Sequence, residues 1–274
     1  MMQAGGVVVV ANIQSIRFSF YKPPLSHITN AYKGVRNAFV PRNAFLVSSF
    51  PKSGNTYLRF LIFAYFNSGI LEYSDMEQAI PYVGLNKASR NTGTNDLYKT
   101  HERPSRFYRR GIYLVRDGRS VVASLYRAQL RRNLTQESFR GFLEKFISGS
   151  ISGYGAWHKH TQAWLREVQQ SGDWLLVRYD DLIEDPEYVL QRVLQHLGET
   201  VSQSKIQSAV VRSSPENIRN AESRAPQFRK LLDEGSQPLV GGGVKRTWEQ
   251  YFSEPDLEYF LSSIESSPLV AEFT

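Results

Sequence analysis

The stretch Ala44-Phe-Leu-Val-Ser-Ser-Phe-Pro-Lys-Ser-Gly-Asn-Thr-Tyr-Leu58 constrains this chain more than any other. Ala44 to Phe50 reads as a buried strand that runs into a Pro-Lys-Ser-Gly turn, and a nearly all-apolar helix follows from Asn55 to Phe66. A short apolar run, a turn with a glycine and then a helix is the physical recipe for an anion site. The first backbone N–H groups of the helix have no partner within it and point into the turn. The macrodipole favours an anion there by about 0.3–1 kcal/mol when exposed and up to roughly 2 when partly buried. Lys52 brings a full charge to the same place, and Ser53, Asn55 and Thr56 bring side-chain donors. The bland alternative is an ordinary strand–helix connection with a surface lysine.

The phosphate-loop signature G-x-x-x-x-G-K-[ST] is absent. Pro51-Lys-Ser-Gly-Asn-Thr56 places its lysine before the glycine, and no hydroxyl follows a lysine in the position that would hold Mg²⁺. The turn is therefore a phosphate-type cradle without the metal apparatus of a nucleotide triphosphatase.

From Ala44 onward strands alternate with helices. Leu97 to His101 reads as a strand stopped near Pro104, and Gly111 to Arg116 as a second buried strand, with Asp117 as N-cap of a helix reaching Arg131. A helix over Ala156 to Gln170 carries Trp157 and Trp164 on one face, and Trp174 to Tyr179 forms a further strand. Pro186 opens a helix to Leu197 that Gly198 ends, and a final short helix starts near Pro255. Such alternation predicts an α/β fold, a parallel sheet covered on both faces, whose ligands bind beyond the carboxyl ends of the strands. Lys52, His101, Arg116 and Tyr179 each fall at or just past one of those ends. Residues 1–40, with Pro23-Pro24, read as an arm or capping segment before a domain over 41–274.

Composition narrows the partners. With no cysteine, thiolate chemistry and disulfides are excluded, and this fits a cytoplasmic enzyme. A net charge of +7 suggests an anionic partner. The densest basic runs are Arg103 to Arg110 and Arg127 to Arg132, without a polybasic tail, so nucleic acid is not favoured. The apolar run Gly5 to Ala11 is far shorter than the ~20 residues that span a bilayer, so no integral membrane segment is expected. His158 and His160 invite a metal reading, but on a helix the two diverge and no third ligand stands nearby, so no metal is expected.

Pro51-Lys-Ser-Gly-Asn-Thr-Tyr57 resembles the 5′-phosphosulfate loop of the cytosolic-type sulfotransferases, roughly Pro-Lys-Ser-Gly-Thr-Thr-Trp. Tyr113-Leu-Val-Arg-Asp-Gly-Arg-Ser-Val-Val-Ala-Ser124 is similar to their 3′-phosphate motif, an arginine ending a strand and a serine eight residues later. Lys99-Thr-His101 resembles the segment with the family's catalytic histidine. The stretches Phe142 to Phe146, Gly155 to Trp164, Arg178 to Leu182 and Ser213 to Asn220 follow in the family's order, so the resemblance covers about residues 44 to 252.

The resemblance implies a three-layer αβα fold of the P-loop nucleotide-triphosphatase-like sulfotransferase type. It also implies 3′-phosphoadenosine-5′-phosphosulfate as donor, without a metal, and direct in-line transfer of the sulfuryl group to a hydroxyl or amine. His101 is then the general base, Lys52 stabilises the leaving phosphate, and Lys99 assists. Ser53, Gly54, Asn55, Thr56 and Tyr57 form the 5′ loop. Arg116 and Ser124 hold the 3′-phosphate, while Tyr179, Ser214 and Gly243 complete the nucleotide site, with Tyr57 and Tyr179 beside adenine. The acceptor, a small molecule or carbohydrate, should lie over His101, framed by segments near 70–96, 131–155 and 220–243. Tyr73, Tyr82, Phe142 and Tyr154 are candidates to line its pocket or to belong to the core.

The chain also departs from the family. Gly241-Gly-Gly243 stands where Arg-Lys-Gly is usual, leaving Lys245, Arg246, Arg229 or Arg224 as possible substitutes, and Pro215 replaces a phenylalanine that packs on adenine. The dimer motif expected after Trp248 is interrupted by Glu249 and Glu254, which leaves a monomer or a homodimer of another kind. Two alternatives stand beside the enzyme reading: an Mg²⁺-dependent nucleotide kinase, and a non-catalytic nucleotide-binding regulator.

Overall fold

In a computed structural model the described residues are 40–84, 88, 92, 93, 95–131, 133–225 and 247–274. The expected arm over 1–40, save residue 40, and the triglycine at 241–243 lie outside them. Among the described residues four strands, β1 (Phe45–Ser49), β2 (Leu97–Thr100), β3 (Gly111–Val115) and β4 (Trp174–Arg178), form one sheet in the order β2-β1-β3-β4. Every pairing is parallel. The helices in chain order are α1 (Asn55–Phe66), α2 (Tyr73–Ala79), α3 (Gly118–Arg131), α4 (Phe139–Ser148), α5 (Trp157–Ser171), α6 (Tyr179–Glu184), α7 (Pro186–His196), α8 (Gln203–Arg212), α9 (Pro215–Arg224) and α10 (Glu254–Ile264). Short 3₁₀ turns span Thr247–Gln250 and Pro268–Phe273.

The strands carry near-continuous apolar sequence because both faces are covered. Alternate side chains go to opposite layers. Phe45, Val47, Ile112 and Leu114 pack in a core with α1, α7, α8 and α9. Leu46, Tyr113 and Val115 pack on the other face with Trp164 of α5 and with Trp174. A third cluster joins Phe50 to α3, α4 and α10 through Val121, Phe142, Phe146, Trp157 and Phe260. Trp157 and Trp164, both fully buried, therefore anchor α5 in two different clusters. The αβα architecture read from the sequence is the one observed.

Local signals account for the helix ends. Asp117 accepts from the backbone N–H of Arg119 at 2.7 Å and of Ser120 at 3.5 Å, as an N-cap does. Ser138, Asp185, Ser214 and Ser253 cap α4, α7, α9 and α10 in the same way. Each strand ends one residue earlier than the sequence predicts, at Ser49, Thr100, Val115 and Arg178, and Tyr179, expected as the last residue of β4, opens α6. Among the described residues, no helix is long and apolar enough to cross a membrane.

Candidate active site

Because the four strands are parallel, their carboxyl ends share one edge of the sheet. Ser48 pairs with Thr100, Ser49 with Leu114 and Val115 with Arg178, so the ends are nearly level. Lys52, His101, Arg116 and Tyr179 leave the sheet from that edge.

The turn between β1 and α1 has alternating backbone hand. Lys52 has φ 69° and Gly54 φ 97°, both left-handed, whereas Ser53 does not. Alternation of this sort bends successive N–H groups into a concavity that suits an anion. Gly54 is the N-cap of α1, without a side-chain cap bond and without an acidic residue in the first turn. The donors at this helix start are thus not closed off by a carboxylate or hydroxyl, unlike those of α4, α7, α9 and α10. Ser53 is 1% exposed, and its hydroxyl has no hydrogen-bond partner.

Arg116 closes the cradle from β3. Its Nη1 donates to the carbonyl of Lys52 at 2.9 Å, and its guanidinium lies 4.0 Å from the centre of the Tyr179 ring. Its Nε is buried without a partner. Burial and the neighbouring Arg127 lower its pKa, with Tyr179, Asp180 and Asp117 opposing. The Tyr179 ring in turn covers Gly54, where an added Cβ would meet its Cδ2 at 2.6 Å. The phenol of Tyr57 is pushed up by burial and by Tyr179. Ser120 and Ser124 are buried one turn apart on α3. Two orphaned donors, Ser53 Oγ and Arg116 Nε, beside uncapped helix N–H groups fit a phosphorylated ligand.

His101 follows the end of β2. Its Nδ1 lies 2.8 Å from the carbonyl of Ser49, with the Ser49 hydroxyl at 3.4 Å. A carbonyl only accepts, so Nδ1 carries the proton and Nε2 the lone pair. Burial holds the imidazole neutral, with its pKa down to about 3 against the opposing carbonyl bond, and Lys99, Arg59 and His160 push the same way as burial. The rings of Tyr82 and Tyr154 meet it edge-on at 6.2 and 5.7 Å, and Tyr82 Oη donates to Tyr154 Oη at 3.3 Å. These two aromatic residues flank His101. Tyr73 and Phe142, 5% and 1% exposed, belong to the core instead.

Several expected side chains are engaged elsewhere. Asn55 Nδ2 donates to Val47 O at 3.1 Å and to Ser49 Oγ at 3.3 Å, so its amide is spent behind the cradle and only its backbone N–H faces the turn. The Thr56 side chain bonds the Tyr73 phenol. Lys99 is neither a solvated edge lysine nor directed at His101. Its ammonium sits 2.8 Å from Glu77 Oε1, which also accepts from Arg59 Nη1 at 2.8 Å. Burial and Arg59 bring Lys99 down to about 8, and the two cations bring Glu77 down to about 2 against its own desolvation. Arg59 links this network to Asn55 Oδ1 at 3.0 Å.

Ser214 caps α9 at 3.3 Å from Asn217 N. The neighbouring Arg212 bonds the carbonyls of Ala64, Asn67 and Gly69, at the end of α1 opposite the cradle. Hence Ser214 is not brought to the cradle. Arg224 pairs with Glu72 at 2.9 Å, so it does not replace the missing basic pair, while Gly243, Lys245, Arg246 and Arg229 lie outside the described residues. Trp248 packs on Arg119 at 4.2 Å, which returns the chain to the first turn of α3 beside Arg116.

Sequence reasoning missed Arg59, Glu77, Ser49 and His160. Of these, Arg59 stands out in the sequence as the one charge in an otherwise apolar helix, and His160 only as a neighbour of His158. A polar groove lined by Arg106, Arg109, Glu167 and Asp173 lies beside the start of β3, at the opposite end of the sheet, and is separate from this site.

Comparison with known proteins agrees with the geometry. The family described as "Sulfotransferase domain" matches residues 42–267. Rat sulfotransferase 1 family member D1 is 26% identical over 238 residues, covering 78% of this chain and 80% of the relative. Rat sulfotransferase 1A1 is 25% identical over 275 residues, covering 88% and 93%. Retinol dehydratase, solved with androsterone and the inactive cofactor PAP, superposes with a TM-score of 0.69 at 17% identity over 85% of this chain and 83% of that one. Mouse sulfotransferase SULT7A1, complexed with PAP, gives 0.65 at 20% identity over 85% and 87%. An uncapped cradle, a neutral histidine at the next strand end and these matches converge: the chain belongs to the sulfotransferase family and is a sulfotransferase.

Proposed function

We propose that the enzyme takes its sulfuryl group from 3′-phosphoadenosine-5′-phosphosulfate and passes it directly to a hydroxyl or amine, with His101 as base. The observation that carries this reading is the His101–Ser49 bond of 2.8 Å, which ties His101 to the strand that runs into the cradle and leaves the lone pair of a neutral imidazole on Nε2. The orphaned Ser53 hydroxyl and Arg116 Nε support a phosphorylated donor. Two of the superposed structures contain PAP, the desulfated form of that donor.

In this reading Ser53 and the first N–H groups of α1 hold the 5′-phosphosulfate, and Arg116 with Ser124 holds the 3′-phosphate. The acceptor oxygen or nitrogen attacks sulfur while His101 Nε2 takes its proton. The bond from sulfur to the bridging oxygen breaks, and its electron pair stays on the 5′-phosphate. Lys52, half-buried in the cradle, stabilises that oxygen as charge develops, and preorganised charge of this kind is often the largest catalytic contribution. General base catalysis supplies about 10²–10⁴-fold. Tyr82 and Tyr154, edge-on to His101, form one wall of the acceptor site and favour a small molecule or carbohydrate with a flat or apolar face. The absence of cysteine fits a cytoplasmic setting.

Thermal-shift measurements with adenosine 3′,5′-bisphosphate, ATP with Mg²⁺, and no ligand test the donor. At a hundredfold excess over its Kd, the bisphosphate should add about 2.7 kcal/mol of stability. Stabilisation by ATP with Mg²⁺ alone would favour a kinase and sink the reading. For the base, His101→Ala should keep bisphosphate binding and lose transfer from labelled donor to any phenol, sugar, lipid or peptide that the wild type accepts. Retained transfer would remove His101 from that role and, with binding intact, point to another base.

A further inference from the structure

Beyond Thr100 the backbone leaves β2, and the carbonyls of His101 and Glu102 lose their strand partners. Buried carbonyls left in this way need donors from elsewhere. Helix α5 supplies them from two side chains one turn apart. His160 Nε2 donates to His101 O at 3.0 Å, and Trp164 Nε1 donates to Glu102 O at 3.0 Å. Both side chains are 0% exposed. On the other side, His101 N–H donates to Tyr82 Oη at 3.2 Å, and its Nδ1–H to Ser49 O at 2.8 Å. The residue is therefore held at its N–H, its C=O and its ring, by three different parts of the fold.

The surroundings of His160 are those of a hydrocarbon. Phe50 meets its ring edge-on at 5.2 Å, Tyr113 lies at 6.2 Å, and its Nδ1 has no partner. An apolar side chain would satisfy that packing as well, so what a histidine adds there is an N–H donor toward the backbone of His101 and Glu102. Burial lowers the imidazole to about 4, which keeps it neutral, and the His101 carbonyl, which only accepts, puts its single proton on Nε2.

We propose that His160 is a positioning residue for His101: its Nε2–H fixes the peptide from which the base projects and so holds the imidazole against Ser49. This deepens the base reading above and rests on it for its catalytic consequence. Displacement of a catalytic group by about 1 Å costs on the order of 10²-fold in rate.

The test is histidine-selective ¹⁵N NMR of the full chain at pH 7, with and without saturating adenosine 3′,5′-bisphosphate, the His101 signals being identified by their loss in His101→Ala. Wild type should show His101 in one tautomer, Nδ1 protonated, with a slowly exchanging Nδ1–H. His160→Leu should convert that to averaged tautomers and a fast-exchanging proton, while bisphosphate affinity stays within about twofold. His160→Gln, whose amide donor reaches the same carbonyl, should restore the wild-type signature, and His160→Asn, one bond shorter, should not. If His160→Leu fails to fold, the Gln and Asn variants decide between the two outcomes. Unchanged His101 signals in Leu or Asn, or equal disturbance in Gln and Asn, overturn the proposal. The imidazole readout concerns position alone, so it can fail while His101→Ala still abolishes transfer, and it can succeed while that variant retains it.

Discussion

Arg116 donates to the carbonyl of Lys52 at 2.9 Å, so the end of β3 fixes the backbone of the cradle that follows β1. One guanidinium thereby shapes the turn, stacks 4.0 Å from Tyr179 and still keeps a buried Nε without a partner. An ammonium cannot replace that planar set of donors. Arg116→Lys should weaken adenosine 3′,5′-bisphosphate binding by about 10–100-fold, the scale of one charge-assisted bond of about 1.5–3 kcal/mol. Isothermal titration measures it, and a change within twofold would show that Arg116 does not hold the nucleotide.

Gly54 has no room for a side chain. Its φ of 97° is left-handed, and a Cβ would meet Tyr179 Cδ2 at 2.6 Å. Gly54→Ala should cost about 1–3 kcal/mol in strain and clash, read from denaturant midpoints. Adding Tyr179→Ala should recover only part of the loss, because the backbone strain remains. Full recovery would mean that the left-handed turn costs alanine nothing.

Glu77 lies between two cations, 2.8 Å from Arg59 and 2.8 Å from Lys99. Removing one partner of a fully buried pair costs about 3–5 kcal/mol, and at 29% exposure Glu77→Gln should cost less, about 2–3. Since the carboxylate raises the pKa of Lys99, its loss should depress that value further. Combining the change with Lys99→Met should restore stability, because the second unpaired cation is gone. A double variant no better than the single one would exclude cation repulsion as the cause.

Acid should weaken the fold through His101 and His160, held at about 3 and about 4 by burial. In the unfolded chain a histidine takes up its proton near pH 6.5, so between that value and the folded one the unfolded state binds more protons. Stability is therefore complete above about pH 6.5 and falls as pH drops, by at most about 1.4 kcal/mol per pH unit for each group. Glu77, lowered to about 2, adds a further loss as pH falls below the ordinary carboxylate range. Urea titrations from pH 7.5 to 4.5 follow the slope. His101→Ala should make it shallower, and an unchanged slope in that variant would show that His101 is not held neutral.

The cradle was legible in the sequence because its signals are local. An apolar strand, a glycine turn and an apolar helix stand within twenty-three contiguous residues, and α1 begins and ends at Asn55 and Phe66 as read. The same holds for the Asp117 cap and for Pro186 at the start of α7. Long-range engagement was not legible. Asn55 reads as a cradle donor, yet its amide goes to Val47 and Ser49 because the helix packs back on the strand that precedes it. Lys99 shares an alternation with His101, yet a carboxylate twenty-two residues earlier in the chain captures its ammonium. His160 attracted notice only beside His158, as a pair of metal ligands, whereas its partner is the peptide of His101, fifty-nine residues away.

The sequence by itself determined the family, the parallel α/β layering and, to within one residue, where each strand ends. Apolar periodicity, glycine and proline placement and short motifs act over a few residues and do not require knowledge of the rest of the chain. Tertiary structure alone decided which of those residues face one another and in what state. It set the proton of His101 on Nδ1, bound Lys99 to Glu77, left Ser53 and Arg116 with free donors and moved Ser214 and Arg224 away from the cradle. Tautomer, ion pairing and desolvation depend on neighbours that the sheet brings together from distant segments, and no local pattern encodes them.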